Sequence, residues 1–301
     1  MSIKQKLKSV FFRFEIATGL DTLFAGLSSN AFFRKFIPPP RYYGQHIVRN
    51  ISDEGARFSI HPADYMQWTL LAKESDHALE AALLAIQPFN EQLCVLDIGA
   101  NCGQFSIRLA SRLKAGNTIA NIHAFEPNPK VVESFQKNLS LNPALSSSIS
   151  LHQKGVGDKP GMLEISVPVR NSGAGSLAYN FNNEPHENFQ VDIVTVDEFI
   201  KSKQIDKVHF MKIDVETFEP LVLQGAAETI ARFRPAIYLE FINDPIPAFG
   251  LPQDFIYKFL TERQYAIHLE TGNGFKQIGS FNDIADLKYC NLLALQPDQR
   301  A

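Results

Sequence analysis

The residues Leu93-Cys94-Val95-Leu96-Asp97-Ile98-Gly99-Ala100-Asn101-Cys102-Gly103-Gln104-Phe105 open on an apolar run, reach an acid, and pass two glycines into an amphipathic segment that continues to Leu113. An apolar run bounded by polar residues is the pattern of a strand buried on both faces. A buried strand that turns directly into a helix begins an open α/β sheet, where ligands settle beyond the carboxyl ends of strands. Gly99 and Gly103 have no Cβ, so backbone can approach a ligand closely. The N–H groups of Gly103–Phe105 open the helix and have no intrahelical partners. The stretch reads as a ligand cradle.

The spacing narrows the ligand. A dinucleotide cradle reads G-x-G-x-x-G and rests a pyrophosphate on the helix N-terminus. This one reads D-x-G-x-x-x-G, with Asp97 at the strand end and Asn101 where a glycine would stand. A carboxylate there repels pyrophosphate and suits a cationic ligand rich in hydroxyl and ammonium donors. S-adenosylmethionine, with an amino-acid head, a sulfonium and a ribose, fits that description. A strand–turn–helix with purely structural glycines is the competing reading.

Toward the C-terminus, Ile119–Phe125 reads as a second strand ending at Glu126-Pro127-Asn128-Pro129, whose prolines stop the strand and start a helix to Leu141. An acid at that tip, roughly 20 to 30 residues past the glycine turn, is placed to take both ribose hydroxyls. Ile149–Val156 reads as the third strand and ends at Gly155-Val156-Gly157-Asp158. Val156 is expected to wall the adenine; Asp158 either accepts from its amino group or is a plain turn residue. Leu163–Val169 and Phe189–Thr195 alternate like paired strands, and the Gly/Ser-rich Asn171–Ser176 between them reads as an acceptor-binding flap. Val208–Ile213 is a fourth buried strand, carrying Asp214 and Glu216 to the same sheet edge as Asp97. A helix over Glu219–Ile230, a strand Ala236–Phe241 containing Glu240, a helix around Tyr257–Leu260, and strands Tyr265–Leu269 and Tyr289–Leu295 complete the chain. This alternation means a doubly wound α/β sheet, and the last two strands, with no helix between them, imply one antiparallel edge. His123, His152 and His209 lie in strands and read as core histidines.

Toward the N-terminus, Ser75 is placed to cap a helix through Ile86 that Pro88 ends. His46–Ile51 and Ala56–Ile60 flank Ser52-Asp53-Glu54-Gly55 as a hairpin, and Pro38-Pro39-Pro40 is a stiff break. Residues 1–40 differ in composition: Lys4, Lys6, Lys8 and Arg13 accompany a phenylalanine-rich run, and Phe12, Ile16, Leu20, Leu23 and Leu27 share one helical face. Arg13 and Glu15 interrupt the apolar stretch, which excludes a signal h-region or a membrane span. Two readings compete here, a helix packed on the catalytic domain or on a second subunit, and a basic helix lying at a membrane surface. The chain has 301 residues and a formal charge of −3, against broad phosphate-backbone binding, so no nucleic-acid partner is expected. Its three cysteines are odd in number and lack CxxC spacing. Neither a disulfide framework nor a metal site is indicated, and a reducing, cytoplasmic compartment is expected.

Three motifs in order, Asp97-Ile98-Gly99-Ala100-Asn101, Glu126-Pro127-Asn128-Pro129 and Lys212-Ile213-Asp214-Val215-Glu216, resemble the FkbM-type S-adenosylmethionine-dependent methyltransferases. The likeness continues through Glu219, Leu223 and Gly225 to Tyr238-Leu239-Glu240. It implies a class I methyltransferase domain over residues 75–301, built on a mostly parallel seven-stranded Rossmann-like sheet, behind a helical and hairpin extension over residues 1–74. It also implies methyl transfer to oxygen, often a sugar hydroxyl in a polysaccharide, glycolipid or secondary metabolite, so the expected partner is a small-molecule or glycan acceptor. Cofactor contacts are expected at Asp97, Gly99, Asn101, Gly103, Phe105, Glu126, Asn128, Val156 and Asp158. A hydroxyl nucleophile gains from a base; Asp214 is the first candidate, with Glu216 and Glu240 next. In the competing reading, Asp214 orients the cofactor's amino group or shares a divalent cation with Glu216. The family usually has glycine where this chain has Thr217. A nicotinamide dehydrogenase is disfavoured by the missing third glycine. A nucleic-acid methyltransferase would carry Asn/Asp-Pro-Pro-aromatic after the fourth strand, where Asp214-Val215-Glu216-Thr217 stands; Asn243-Asp244-Pro245 follows the fifth. The rival of a different class is a non-catalytic cofactor-binding or interaction protein on the same fold.

Overall fold

The computed structural model describes residues 3–27, 31–44, 46–74, 76–86, 92–168, 186–243, 249–297 and 299. The first helices are α1 (Ile3–Thr18), α2 (Leu20–Gly26) and α3 (Ala31–Arg34). Gly19, at φ 78°, separates α1 from α2, so the single apolar face expected across residues 12–27 is divided. Phe12 is buried and Ile16 packs on the core, while Leu23 and Leu27 are exposed. Strands β1 (Arg49–Asp53) and β2 (Ala56–Ile60) pair antiparallel across Glu54 and Gly55. Both turn residues have positive φ, 49° and 75°, as a two-residue type I′ hairpin requires. Helices α4 (Tyr65–Ala72) and α5 (His77–Ala85) follow. Asp76 caps α5 through the Leu79 N–H at 3.0 Å; Ser75 and Pro88 lie outside the described residues.

The body alternates: β3 (Leu93–Ile98), α6 (Gln104–Ala115), β4 (Ala120–Phe125), α7 (Pro129–Ser140) and β5 (Ile149–His152). Next come β6 (Gly155–Val156), β7 (Gly161–Pro168), β8 (His186–Val194), α8 (Val196–Lys203) and β9 (Phe210–Ile213). The chain closes with α9 (Glu219–Gln224), α10 (Ala227–Phe233), β10 (Ala236–Ile242), α11 (Phe255–Thr261), β11 (Ala266–Thr271), β12 (Gly274–Gln277) and β13 (Tyr289–Leu295). The helix expected over Glu219–Ile230 is thus two, parting at Gly225-Ala226.

The large sheet has the order β12-β11-β13-β10-β9-β3-β4-β5. Strands β10, β9, β3, β4 and β5 run parallel, and β13 is antiparallel to both β10 and β11. This is the doubly wound, mostly parallel Rossmann-like sheet, with β12 added as an eighth strand through its hairpin with β11. The antiparallel edge that the sequence suggested is present and wider than expected: β13 lies between β10 and β11, and β12 closes the edge antiparallel to β11. The expected third strand also divides. Its first part, β5, joins the large sheet, whereas β6 pairs with β8 in a separate three-stranded sheet completed by β7.

Every residue of β3 is buried, and its side chains alternate between two cores. Leu93 and Val95 join the cluster under α4, α5, α6 and the β1–β2 hairpin; Cys94, Leu96 and Ile98 join the one under α8 to α11. That two-sided burial is the physical basis of the apolar run at 93–98. His209 accepts from the Cys94 N–H at 3.0 Å, His152 stacks on Phe125 and His123 meets Phe199 edge-on. Cys94, Cys102 and Cys290 are buried and unbridged. Among the described residues, no helix is long and apolar enough to cross a membrane.

Candidate active site

The order of the large sheet turns between β3 and β9, and the carboxyl ends of β3, β4, β9 and β10 meet at one rim there. A cavity of about 320 Å³ opens at this rim, the size and place of a small-ligand site in a doubly wound sheet. Gly99, Asn101, Phe105, Glu126, Asn128 and Val156 line one part of it, and Asp214, Glu216 and Glu240 another.

Glu126 joins the first two strand tips. Its Oε2 accepts from the Asn101 N–H and its Oε1 from the Asn128 N–H, each at 2.9 Å. Burial raises its pKa to about 7 against those two stabilising N–H bonds. The Asn128 side chain accepts from the Lys130 N–H at 3.1 Å and so caps α7. Gly99 has φ 84°, and a Cβ on it would overlap the carbonyl oxygen of Asp214. Only glycine lets the cradle turn pass so close to the β9 tip.

Three expected cofactor contacts lie elsewhere. Asp97 is fully buried beneath the cavity floor, accepting from Ser106 Oγ at 2.6 Å and facing Lys212 Nζ at 3.7 Å. Strand alternation explains the position: Asp97 shares a side with Leu93 and Val95, toward α6, which carries Ser106. Gly103 does not line the cavity among the described residues; at φ 84° it starts α6 against the Phe135 ring. Asp158 is exposed, because the chain leaves the large sheet after His152 and turns past the β6 end. The Asn171–Ser176 segment lies outside the described residues, as do Asp244 and Pro245.

The β9 and β10 tips carry a dense set of ionisable groups. Lys212 Nζ donates to Asp214 Oδ2 at 2.8 Å and to the Gly99 carbonyl at 3.3 Å. Burial alone would lower its pKa; Asp214 and Asp97 outweigh that and raise it, so the lysine stays charged. Glu216 is raised to about 7 by burial and then by Asp214. Glu219 is fully buried and raised to about 8 by burial, and its Oε1 accepts from the N–H groups of Val215 at 2.9 Å and Thr217 at 3.3 Å. Glu240 is held far above the ordinary carboxylate range by burial and by Asp214, and its Oε2 is buried with no hydrogen-bond partner. Thr217 has φ 88°, a left-handed conformation for a β-branched residue.

Sequence reasoning missed part of the wall. Lys212 supplies a buried ammonium, and its signal was a lysine inside the apolar run Phe210–Ile213. Tyr238 donates to Glu270, which lies 3.8 Å from His77, and these three line the cavity with Asp76, Tyr289 and Asn291. They come from α5, the residue before it and three strands far from it in sequence, so only the folded sheet brings them together. Among the described residues, no group of three or more His, Cys, Asp or Glu side chains is arranged to hold a metal ion.

Comparisons with known proteins bear on the family of the chain. Residues 97–267 match the profile of the Methyltransferase FkbM domain. The chain is similar to Methyltransferase 1 of Beauveria bassiana, at 27% identity over 158 residues, which is 46% of this chain and 61% of that protein. It is similar to the Hexuronic acid methyltransferase AglP of Haloferax volcanii, at 21% identity over 61% of this chain and 70% of that protein. The chain thus spans less than two thirds of the first of these relatives. The crystal structure of Methyltransferase FkbM from Methylobacillus flagellatus KT is similar at 16% identity and a TM-score of 0.43, over 76% of this chain and 52% of that one. Because the family profile covers more than half of the chain and takes in the cradle, the Glu126 tip and the β9 and β10 tips, this protein belongs to the FkbM methyltransferase family.

Proposed function

We propose that the chain transfers a methyl group from S-adenosylmethionine to a hydroxyl oxygen of an uncharged sugar, in a polysaccharide, glycolipid or secondary metabolite. The observation that carries this reading is the carboxyl group cluster of Asp214, Glu216 and Glu240 on the wall of a cavity that Glu126 also lines. The donor set suits the cofactor. The Glu126 carboxyl uses one acceptor position on each oxygen for backbone N–H groups and keeps others for ribose hydroxyls. When bound, S-adenosylmethionine supplies an electrophilic methyl on a sulfonium.

The protein's own task is to align the acceptor oxygen, exclude water and take its proton. Glu216 suits the proton transfer better than Asp214. Its pKa near 7 combines an ionised fraction at neutral pH with useful proton affinity. One oxygen of Asp214 is already held by Lys212. Glu240, protonated at neutral pH by its burial, is a hydrogen-bond donor toward the acceptor. The wall also selects charge. Asp214, Glu216 and Glu270 around the cavity repel an anionic acceptor and favour a neutral polyhydroxyl ring, while the protonated Glu240 adds no charge. One relative acts, by its name, on a hexuronic acid, which supports a carbohydrate; the acid-rich wall here points away from the uronate carboxylate.

The test is product mass after incubation of the purified chain with labelled cofactor and a panel of neutral and uronic glycans. A gain of one methyl on a neutral glycan is expected. Glu216→Gln should lower kcat by about 10²- to 10⁴-fold with cofactor Kd unchanged. Unchanged kcat in that variant removes Glu216 as the base, and methylation confined to uronates removes the neutral-sugar assignment.

A further inference from the structure

Among the described residues, none before Tyr65 lines the cavity, yet the N-terminal helices expose several large apolar side chains. Helix α1 has two opposed stripes. Phe12 and Glu15 are buried and Ile16 packs on the core. Leu7, Val10, Phe11 and Phe14, spaced i, i+3, i+4, i+7, are 67%, 66%, 42% and 58% exposed. That second stripe is a complete apolar helix face turned to solvent. Leu23 on α2 and Leu27 just after it are also exposed, at 57% and 44%, and the Phe11 ring packs edge-on against Phe36 at 6.3 Å.

The charge around this patch is one-signed. Residues 1–41 hold seven Lys or Arg and two acids, in a chain whose formal charge is −3. Both acids, Glu15 and Asp21, are fully buried, Asp21 against Arg49 and Tyr43. Lys8, Arg13, Arg34, Lys35 and Arg41 are exposed. A patch that presents apolar side chains and only positive exposed charge complements one kind of surface. Apolar groups enter the headgroup boundary of a bilayer to about 5–10 Å while cations meet lipid phosphates. A second copy would bring the same cations against these, since a two-fold interface apposes identical patches.

We propose that α1 to α3 dock the protein on an anionic lipid surface, with Leu7, Val10, Phe11 and Phe14 entering the acyl boundary and Lys8 and Arg13 on the phosphates. The inference is independent of which acceptor is methylated.

The test is co-sedimentation of the full chain with mixed phosphatidylglycerol–phosphatidylcholine vesicles and with phosphatidylcholine alone. Binding to the anionic vesicles should be at least about tenfold tighter and should weaken with salt. Lys8→Glu and Arg13→Glu should each lower partitioning about fivefold or more. Leu7→Ser with Phe14→Ser should lower it by more than about tenfold, with the thermal midpoint and cofactor affinity unchanged. Hydrogen exchange needs no variant, and anionic vesicles should slow exchange across residues 5–18. Equal binding to both vesicle types, unaltered exchange, or a wild-type dimer that the same substitutions dissociate without any vesicle binding would overturn the proposal.

Discussion

Thr217 combines two unfavourable features at one residue. Its φ of 88° is costly for a β-branched side chain, and its Oγ1 is buried without a hydrogen-bond partner. Strain of this kind costs on the order of 1–3 kcal/mol, partly offset because glycine loses more chain entropy on folding. Thr217→Gly should therefore stabilise the protein by about 1 kcal/mol, read as a higher urea midpoint at unchanged m-value. This gives the family's glycine a physical reason, since the backbone at that turn is left-handed. Asp97 is the opposite case. Removing it leaves Lys212 and Ser106 facing a buried gap, and Asp97→Ala should cost about 3–5 kcal/mol in the same measurement. The sequence showed that an acid ends this strand, but a motif carries no side-chain direction. The two-residue period did carry it, and it turned Asp97 under the floor. Glu216 gives a third test. A base must be ionised, so kcat/KM should rise with pH through about 7, and Glu216→Gln should abolish that limb.

Elements were legible where both sides of the pattern were present. β3 announced itself by burial on both faces, and the β1–β2 turn by Gly55 beside a polar triplet. The N-terminal helix was misread because a helical wheel drawn through Gly19 assumes right-handed backbone there. The third strand was misread because an apolar pattern does not record the chain leaving one sheet for another between His152 and Gly155. Helix α7 shows a signal that was present and unused. Val131, Phe135 and Asn138 fall on one stripe, so the asparagine belongs to the buried side. Its Oδ1 accepts from the Ser59 N–H at 2.8 Å and its Nδ2 donates to the Cys102 carbonyl at 3.0 Å, clipping the hairpin to the cradle loop. Asn138→Ala strands both buried backbone groups and should cost about 3 kcal/mol, with faster amide exchange in β2.

Across the whole molecule, burial sets an acid-favouring stability. Glu15, Glu126, Glu216 and Glu219 are raised from 4.5 to between about 7 and about 8, chiefly by desolvation. The folded state holds these protons after the unfolded chain has released them. Their contribution is complete below 4.5 and is lost as pH rises through the folded values. His123 and His152, lowered from 6.5 by burial, act in the other direction, but only below 6.5. Between about pH 6.5 and 8 the carboxyl groups are unopposed by them. The thermal midpoint of the ligand-free chain should fall across that interval, and Glu219→Gln should flatten the fall.

The position of β13 has a consequence for how the molecule is assembled. It leaves the ribosome after β10, β11 and β12, yet it lies between β10 and β11. Until it emerges, the hairpin formed by the two strands before it has no seat on the growing sheet. Tyr238 and Glu270, partners across the site, remain on separate halves until that insertion, so the cavity can close only after a strand made later has entered between two made earlier.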